Sequence, residues 1–381
     1  MPGGESAVFE SLNRLLIRVD QEVEIYARYN LDIRDFNTID KIFMGIEGFF
    51  SLRTWHEIRR LVLEKHPQIA IVQNVFPLIS PSVYYALKSI GVPIIQAVYN
   101  YRFVCPGAHL FSKGKICEQC INGNYLHSVR KKCYRQNQVL TCWYAANLYL
   151  HHFINTFVRK IDIFMVPDDF LGNRLIMGGI PSVKIRKNIN PFIVEDYHPS
   201  FKHGKFVLYV GRLVRQKGIF TLVKAMTNVV TKNLPLYIVG EGEEREKLEL
   251  TINQLGLQNR VKLLGAKWGD EMLQIMRESM FVVIPSEWYD NIPLILCQAY
   301  ALGKPVIASA INGLPEYIDN GIDGLLFKPG DFHDLARCID NLANDTPLVN
   351  KMSINARRKA ENVFNFSSYW NKLNSIIHEL I

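Results

Sequence analysis

The sequence predicts an α/β protein made of two doubly wound domains, each a parallel sheet with helices on both faces. The chain has 381 residues, which is too long for one ordinary hydrophobic core and fits two domains of similar size. Short apolar runs alternate with helical stretches, as in parallel sheets. Two such series occur, and a polar, proline-containing stretch, residues 190–205, separates them.

Each predicted strand is a short apolar run bounded by turn residues. In the first half these runs are residues 23–26, 69–73, 93–98 and 163–166. In the second half they are residues 206–210, 236–239, 261–264, 281–284, 305–308 and 324–327. The predicted domains are therefore residues 1–195 and 196–364, followed by an amphipathic segment, residues 365–381.

The composition is that of an ordinary globular protein, with 48% hydrophobic and 21% charged residues. No apolar signal segment follows Met1, and the chain has seven cysteines. Cysteines without a secretory signal are typical of a reducing compartment, so we expect a cytoplasmic protein without a disulfide framework.

The net charge of +8 is concentrated in residues 102–160, which hold nine basic residues and Glu118 as the single acid. This basic stretch can be a solvated face, or a surface that meets anionic headgroups or a pyrophosphate-linked acceptor. We expect no nucleic-acid partner. If the protein docks on a membrane, it does so as a peripheral protein on the inner face of the plasma membrane.

An uncharged segment, residues 136–158, lies inside the basic stretch. Its polar residues favour a core or interfacial helix over a membrane span. One interpretation places four of its side chains near lipid, and the other packs most of them inside the domain. The four are Trp143, Tyr144, Leu148 and Phe153.

Four cysteines fall within a short region rich in Gly, Lys and Asn: Cys105, Cys117, Cys120 and Cys133. Four thiolates can form a tetrahedral zinc site and stabilise a loop that has little core of its own. Only one pair has the tight Cys-x-x-Cys spacing, so four reduced cysteines remain an equal alternative. His109 and His127 are alternative ligands or surface residues.

A predicted strand, residues 206–210, runs directly into Gly211 and Arg212, and Lys217 and Gly218 follow before an amphipathic helix. This arrangement places two cations and helix N-terminal amides at the carboxyl edge of a parallel sheet. Open α/β sheets bind phosphorylated ligands at that edge.

The second half of the chain resembles the retaining group 1 glycosyltransferases, which have the two-domain GT-B fold. Five elements occur in the family's order: GRLVRQKG, VGEG, PSE, ALGKPVIAS, and GLPEYI with DGLLFKPGD. The resemblance implies two Rossmann-like domains that face a central cleft, with a C-terminal helix that crosses back to the N-terminal domain.

The resemblance also implies a donor site. Arg212 and Lys217 match the pair that binds the donor diphosphate, and Gly3 and Gly4 match a glycine loop that approaches the same phosphates. At the sugar, Asp290 and the amides of Asn291 and Ile292 would contact hydroxyl groups, and Gln298 would bind the ribose. In relatives a first strand precedes the glycine loop, so we expect that strand to be missing here.

Three residues depart from the family pattern. Asp290 and Gln298 stand where relatives have Glu, and Tyr99 stands where relatives commonly have a His near the reacting sugar. Asp is one methylene shorter, Gln lacks the charge, and Tyr is a poor base near neutral pH. In a front-face mechanism with retention the leaving phosphate takes the acceptor proton, so a side-chain base is not essential. Three changes in one site also favour a weakened or repurposed enzyme.

The resemblance implies an enzyme that moves a sugar from a nucleoside-diphosphate sugar to an acceptor, and we expect the acceptor to be a lipid-linked glycan in cell-envelope polysaccharide synthesis. No Asp-x-Asp pair occurs in the sequence, so we expect cations on the protein to replace a catalytic metal. The alternative is a weakened or inactive relative that binds a sugar nucleotide or a partner transferase. An epimerase would need an acid/base pair that we do not find.

Overall fold

The structure is a computed structural model that describes residues 4–29 and 38–381, with side chains described in residues 8–29 and 43–381. The chain divides into two compact units. The first unit comprises Met1–Ile189 together with Tyr369–Ile381, and the second comprises Asn190–Ser368.

The first unit contains a four-stranded parallel sheet with the order β1-β2-β5-β6. A two-stranded antiparallel hairpin, β3-β4, lies outside it. The strands are β1 (Ala70–Val72), β2 (Ile94–Ala97), β3 (Phe111–Ser112), β4 (Lys115–Ile116), β5 (Ile163–Val166) and β6 (Ile185–Lys187). The helices are α1 (Gly4–Arg18), α2 (Thr38–Glu47), α3 (Leu52–Lys65), α4 (Ser82–Lys88), α5 (Leu126–Lys131), α6 (Gln138–Phe153), α7 (Thr156–Lys160) and α8 (Asp169–Met177).

The second unit contains a six-stranded parallel sheet with the order β12-β11-β10-β7-β8-β9. The strands are β7 (Val207–Val210), β8 (Leu236–Val239), β9 (Val261–Gly265), β10 (Phe281–Ile284), β11 (Val306–Ser309) and β12 (Gly324–Phe327). The helices are α9 (Ile219–Asn228), α10 (Arg245–Gln254), α11 (Gly269–Glu278), α12 (Leu294–Ala301), α13 (Leu314–Tyr317), α14 (Phe332–Asn344), α15 (Thr346–Lys359) and α16 (Phe366–His378), whose later part belongs to the first unit.

This strand order reverses direction between β7 and β10, as in doubly wound nucleotide-binding sheets. Strands β10 and β11 are buried along their whole length, and β7 is buried except at its last residue, which is typical of parallel strands covered on both faces. The carboxyl ends of β7 and β10 therefore form the edge at which this fold binds ligands.

The predicted return of the C-terminal helix to the first unit is confirmed. The Asn188 side-chain amide donates to the Tyr369 carbonyl at 3.2 Å, and Arg186 forms an ion pair with Glu379 at 2.7 Å. Tyr369 and Leu373 are buried there. Backbone and side-chain contacts thus attach the end of the chain to the strand β6 and the residue that follows it.

The predicted strand at residues 23–26 is wrong, because residues 21–29 have no regular secondary structure. Side chains attach this segment to α3 instead: the Tyr26 hydroxyl donates to Glu57 at 2.7 Å, and Arg28 forms an ion pair with Glu57. No strand precedes β1 within residues 4–29 and 38–69. The sequence analysis also missed β6, whose three residues include two cations.

Candidate functional site

The loop after β7 is fixed by backbone bonds to the loop after β8. The Gly211 amide donates to the Val239 carbonyl at 3.0 Å, and the Leu213 amide donates to the Glu241 carbonyl at 2.9 Å. A Cβ atom at Gly240 would lie 1.9 Å from the Gly211 carbonyl oxygen. Only glycine permits this approach, so the GRL and VGEG motifs form one packed turn.

Arg212 lies on this turn with its side chain exposed to solvent. Its guanidinium forms no ion pair with a carboxylate in the part of the chain that the structure describes. Below it, the buried Tyr209 hydroxyl donates to the Arg212 carbonyl at 3.0 Å. Burial raises the pKa of Tyr209, and the charge of Asp290 raises it further, so this tyrosine remains a neutral donor that supports the turn.

Lys217 and Asp290 form an ion pair in which both side chains are largely buried, at 20% and 15% exposure. The Ser286 hydroxyl lies 3.4 Å from the same Asp290 oxygen, and the Lys217 ammonium lies 5.8 Å from the centroid of the Trp288 ring. A cation from the loop after β7 thus meets a carboxylate from the loop after β10, at the point where the strand order reverses.

Gly218 makes the approach of these two loops feasible. It has a left-handed backbone with φ of 70° and is the N-terminal cap of α9. A Cβ atom here would lie 1.7 Å from the Pro285 carbonyl oxygen. The Glu287 amide also donates to the Gln216 carbonyl at 2.9 Å. The position of Lys217 therefore depends on the absence of a side chain at residue 218.

The predicted sugar-binding residues follow Asp290 directly. The amides of Asn291 and Ile292 donate no hydrogen bond to any described residue, and the buried Asn291 Oδ1 accepts none. Ile292 is 5% exposed. Backbone amides of this kind, fixed by a packed side chain and left unbonded, can bind hydroxyl or phosphate oxygens.

Gln298 lies on α12, and its side-chain amide donates to the Tyr197 hydroxyl at 3.3 Å. Its carbonyl oxygen remains the acceptor that a ribose hydroxyl would require. The structure thus gathers Arg212, Lys217, Asp290 and Asn291 around one pair of loops, and places Gln298 on the helix that follows. The sequence analysis gave no role to Tyr209 and Ser286, which support this cluster, because neither carries charge.

This cluster can bind an anionic diphosphate. Two cations and unpaired amides lie at the strand ends, and such groups stabilise charge on a leaving phosphate without a metal ion. Asp290 neutralises Lys217 in the absence of a ligand. A diphosphate would therefore compete with Asp290 for the ammonium and leave the carboxylate free to contact a sugar hydroxyl.

Three further predicted residues, Gly3, Gly4 and Tyr99, are not placed in this cluster. Gly3 lies outside the described residues, and Gly4 is the first residue of α1. Tyr99 belongs to the first unit, where it follows β2 and lines a pocket with Asn74 and Arg102. Its phenol lies close enough to Tyr369 to affect the pKa of that residue.

The four predicted metal-binding cysteines line one cavity of the first unit, and His127 lines it with them. Cys105 and Cys120 are buried, and burial raises the pKa of Cys120 to about 12. The charges of the other three thiols contribute to that rise. Among the described residues, no group of three or more His, Cys, Asp or Glu side chains is already arranged to hold a metal ion.

On α6 most of the four side chains pack inside the domain, as the second interpretation has it, and a different apolar face is exposed. Tyr144 and Leu148 are buried, and the Trp143 indole donates to the Gly45 carbonyl at 2.6 Å. Of the four residues predicted near lipid only Phe153 is well exposed, at 71%. The exposed face consists of Val139, Tyr149, Leu150 and Phe153. None of the helices in the described chain has the length and apolar character needed to cross a membrane.

Comparison with known proteins relates part of the chain to a known family. Residues 195–359 match the model of the glycosyl transferases group 1. An uncharacterised glycosyltransferase of Methanocaldococcus jannaschii is 35% identical over 37% of this chain and 36% of its own length. The Escherichia coli UDP-Gal:alpha-D-GlcNAc-diphosphoundecaprenol alpha-1,3-galactosyltransferase is 29% identical over 54% of each chain. The chain thus spans about half the length, or less, of these relatives.

A solved structure extends the likeness to both units. The Anabaena protein HepE, crystallised in complex with UDP, superposes with a TM-score of 0.70 at 16% identity and covers 100% of this chain and 97% of its own. At this identity the likeness shows the fold. Residues 195–359 thus match the group 1 glycosyltransferases, and the two units have the GT-B fold.

Proposed function

We propose that the protein transfers a sugar, with retention of configuration, from a nucleoside-diphosphate sugar to a lipid-linked glycan in cell-envelope polysaccharide synthesis. The observation that carries the proposal is the cluster of Arg212, Lys217 and Asp290 at the strand reversal of a group 1 domain. HepE binds UDP, and the E. coli relative is named for a UDP-sugar donor and a diphosphoundecaprenol acceptor. Both support the donor and acceptor classes.

Transfer should proceed without a divalent metal ion, because Arg212, Lys217 and backbone amides supply the positive charge at the diphosphate. The test is to titrate UDP and to assay sugar transfer and donor hydrolysis in excess chelator. Full activity in chelator is the expected result. Loss of transfer that added Mg²⁺ or Mn²⁺ restores would contradict metal independence. UDP binding without any turnover would favour the inactive relative that binds a sugar nucleotide.

We further propose that the exposed face of α6 docks on an anionic membrane surface. Val139, Tyr149, Leu150 and Phe153 form an apolar face. The exposed cations Arg130, Lys132 and Arg135 precede it in the chain, and Arg159 follows it. Basic residues near an anionic bilayer contribute about 1 kcal/mol each, and apolar side chains on an interfacial helix insert between headgroups.

Vesicle sedimentation tests this docking. Binding should occur with anionic vesicles and not with neutral ones, and it should weaken as salt rises because salt screens the attraction. Replacing Val139 and Phe153 by Ser should reduce binding, whereas replacing Val183, which is 71% exposed elsewhere in the same unit, should not. Absence of binding to anionic vesicles at low salt would rule out docking.

The four cysteines, we propose, bind one structural zinc ion. All four line one cavity, and the region around them has only the two-residue strands β3 and β4 and the short helix α5 as regular structure. Zinc would draw the thiols toward one point and supply stability that this region lacks. Lys131, which lies 3.3 Å from the Cys117 sulfur, would stabilise the thiolate charge.

Metal analysis of protein purified with a reductant should find about one zinc per chain. Substituting Cys117 and Cys120 by Ser should remove the metal and lower the thermal midpoint. Cys142→Ser is the matched control, because this exposed cysteine lies outside the cavity. Protein that contains no zinc, and whose thermal midpoint a chelator does not change, would show that these are simply four reduced thiols.

A further inference from the structure

A second pocket lies at the carboxyl edge of the sheet of the first unit. It is lined by residues 73–76 and 96–100, together with Arg102 and Phe103. The two segments follow β1 and β2, which are parallel neighbours. The carboxyl ends of such strands open on one edge, where open α/β sheets bind ligands. The pocket therefore has the usual location of a ligand site.

Arg102 brings an unsatisfied cation to this pocket. Its Nε and Nη1 atoms are buried and form no hydrogen bond with any described residue. Burying charged donors without an acceptor is costly. The guanidinium carbon lies 4.6 Å from the centroid of the Tyr144 ring and 5.7 Å from that of Tyr134. These rings compensate part of the charge but provide no oxygen acceptor for the N–H groups.

No carboxylate in the described chain competes for Arg102. The single acid of the basic stretch, Glu118, forms an ion pair with Arg174 at 2.8 Å. The backbone of Arg102 is fixed, because its amide donates to the Asn100 side-chain oxygen at 2.9 Å. Two donor nitrogens of its guanidinium form no hydrogen bond with a described residue, and each can donate a charge-assisted hydrogen bond to an oxyanion.

We propose that Arg102 binds an oxyanionic group of the acceptor, a carboxylate or a phosphate. This inference rests on the proposed function, since it assigns the pocket to the acceptor of that transfer. The oxyanion accepts hydrogen bonds from the Arg102 N–H groups that have no partner beside the two tyrosine rings. The single carboxylate of the basic stretch, Glu118, pairs with Arg174. The oxyanion therefore supplies the negative charge that no carboxylate of this stretch provides to Arg102. Arg102 thereby selects an acidic acceptor over a neutral one.

The test is calorimetric titration of inorganic pyrophosphate, glucuronate and glucose into protein saturated with UDP. Because UDP fills the donor diphosphate site, any anion binding that the titration detects takes place at a different site. The same titrations are repeated without UDP on the Arg212→Ala/Lys217→Ala variant, which lacks the donor-site cations. Anion binding by this variant would not depend on the donor site or on UDP. The wild-type protein should bind pyrophosphate or glucuronate, and glucose should not bind. A preference for pyrophosphate indicates a phosphate on the acceptor, and a preference for glucuronate indicates an acidic sugar.

Arg102→Gln should weaken this anion binding by about tenfold or more, because it removes charge-assisted hydrogen bonds. Arg102→Lys keeps the charge without the forked donors, so its loss should be smaller, and it serves if the Gln variant unfolds. Arg60→Gln, at an exposed site on α3, should leave binding within about twofold. Equal anion affinity in wild type and Arg102→Gln, or no anion binding by wild type, would overturn the proposal. Failure of wild type to bind UDP would instead contradict the proposed function.

Discussion

Replacing Arg212 and Lys217 together by alanine should weaken UDP binding by more than about 100-fold. Each cation is expected to form charge-assisted hydrogen bonds with the diphosphate that contribute about 1.5–3 kcal/mol, and every 1.4 kcal/mol is about tenfold in affinity. Arg212 is exposed, and within the described residues it has no ion pair to break before it binds. Lys217 must exchange Asp290 for a phosphate oxygen, so we expect its contribution to the binding free energy to lie at the lower end of this range. Titration calorimetry with UDP measures both effects.

Arg215→Ala provides the matched control, because Arg215 is an exposed cation in the same loop. We expect its UDP affinity to stay within about threefold of wild type. Removing Lys217 alone leaves the Asp290 carboxylate, which is 15% exposed, without its cation, so the thermal midpoint must be measured in parallel. Lys217→Arg retains the charge and separates loss of binding from loss of fold. A folded double variant that binds UDP as tightly as wild type would refute the donor site.

The fold of the second unit could be predicted from the sequence, whereas part of the first could not. All six strands of the second sheet were predicted, because each contains a short apolar run, and the central strands β10 and β11 are buried along their whole length. Strand β6 was missed because its Arg186 and Lys187 interrupt such a run. The segment at residues 23–26 has the apolar character of a strand, but contacts of Tyr26 and Arg28 with Glu57 determine its position. Such long-range side-chain contacts are invisible in a local pattern.

The candidate site was predicted as a set of positions but not as an arrangement. The family resemblance pointed to Lys217 and Asp290 separately, yet their ion pair joins residues 73 apart and depends on two loops that pack across the strand reversal. Arg102 carried no recognisable motif, and only its burial beside two tyrosine rings marks it. On α6 the apolar residues surround the whole helix, so the sequence could not tell the buried Tyr144 from the exposed Tyr149.

Gly218→Ala should destabilise the second unit strongly and weaken UDP binding as well. An alanine Cβ at this position would lie 1.7 Å from the Pro285 carbonyl oxygen, and this neighbour is backbone that cannot turn away. Either the loop after β10 or the start of α9 must therefore shift. Because Lys217 precedes the glycine and Asp290 follows the displaced loop, a shift of either element separates the pair. We expect a loss of more than about 3 kcal/mol in the free energy of unfolding, which is large for one substitution.

Gly256→Ala separates the steric effect from the backbone effect. Gly256 has φ of 67°, close to the 70° of Gly218, but nothing lies within 4 Å of an added Cβ atom. This variant should lose only about 1–2 kcal/mol, the cost of a left-handed backbone for an L-residue, and should bind UDP normally. Chemical denaturation gives the unfolding free energies, and calorimetry gives the affinities. Equal stability losses in the two variants would mean that the loops do not meet at Gly218. A Gly218→Ala protein that is destabilised but binds UDP as wild type would show that the Lys217–Asp290 geometry is unnecessary for the donor.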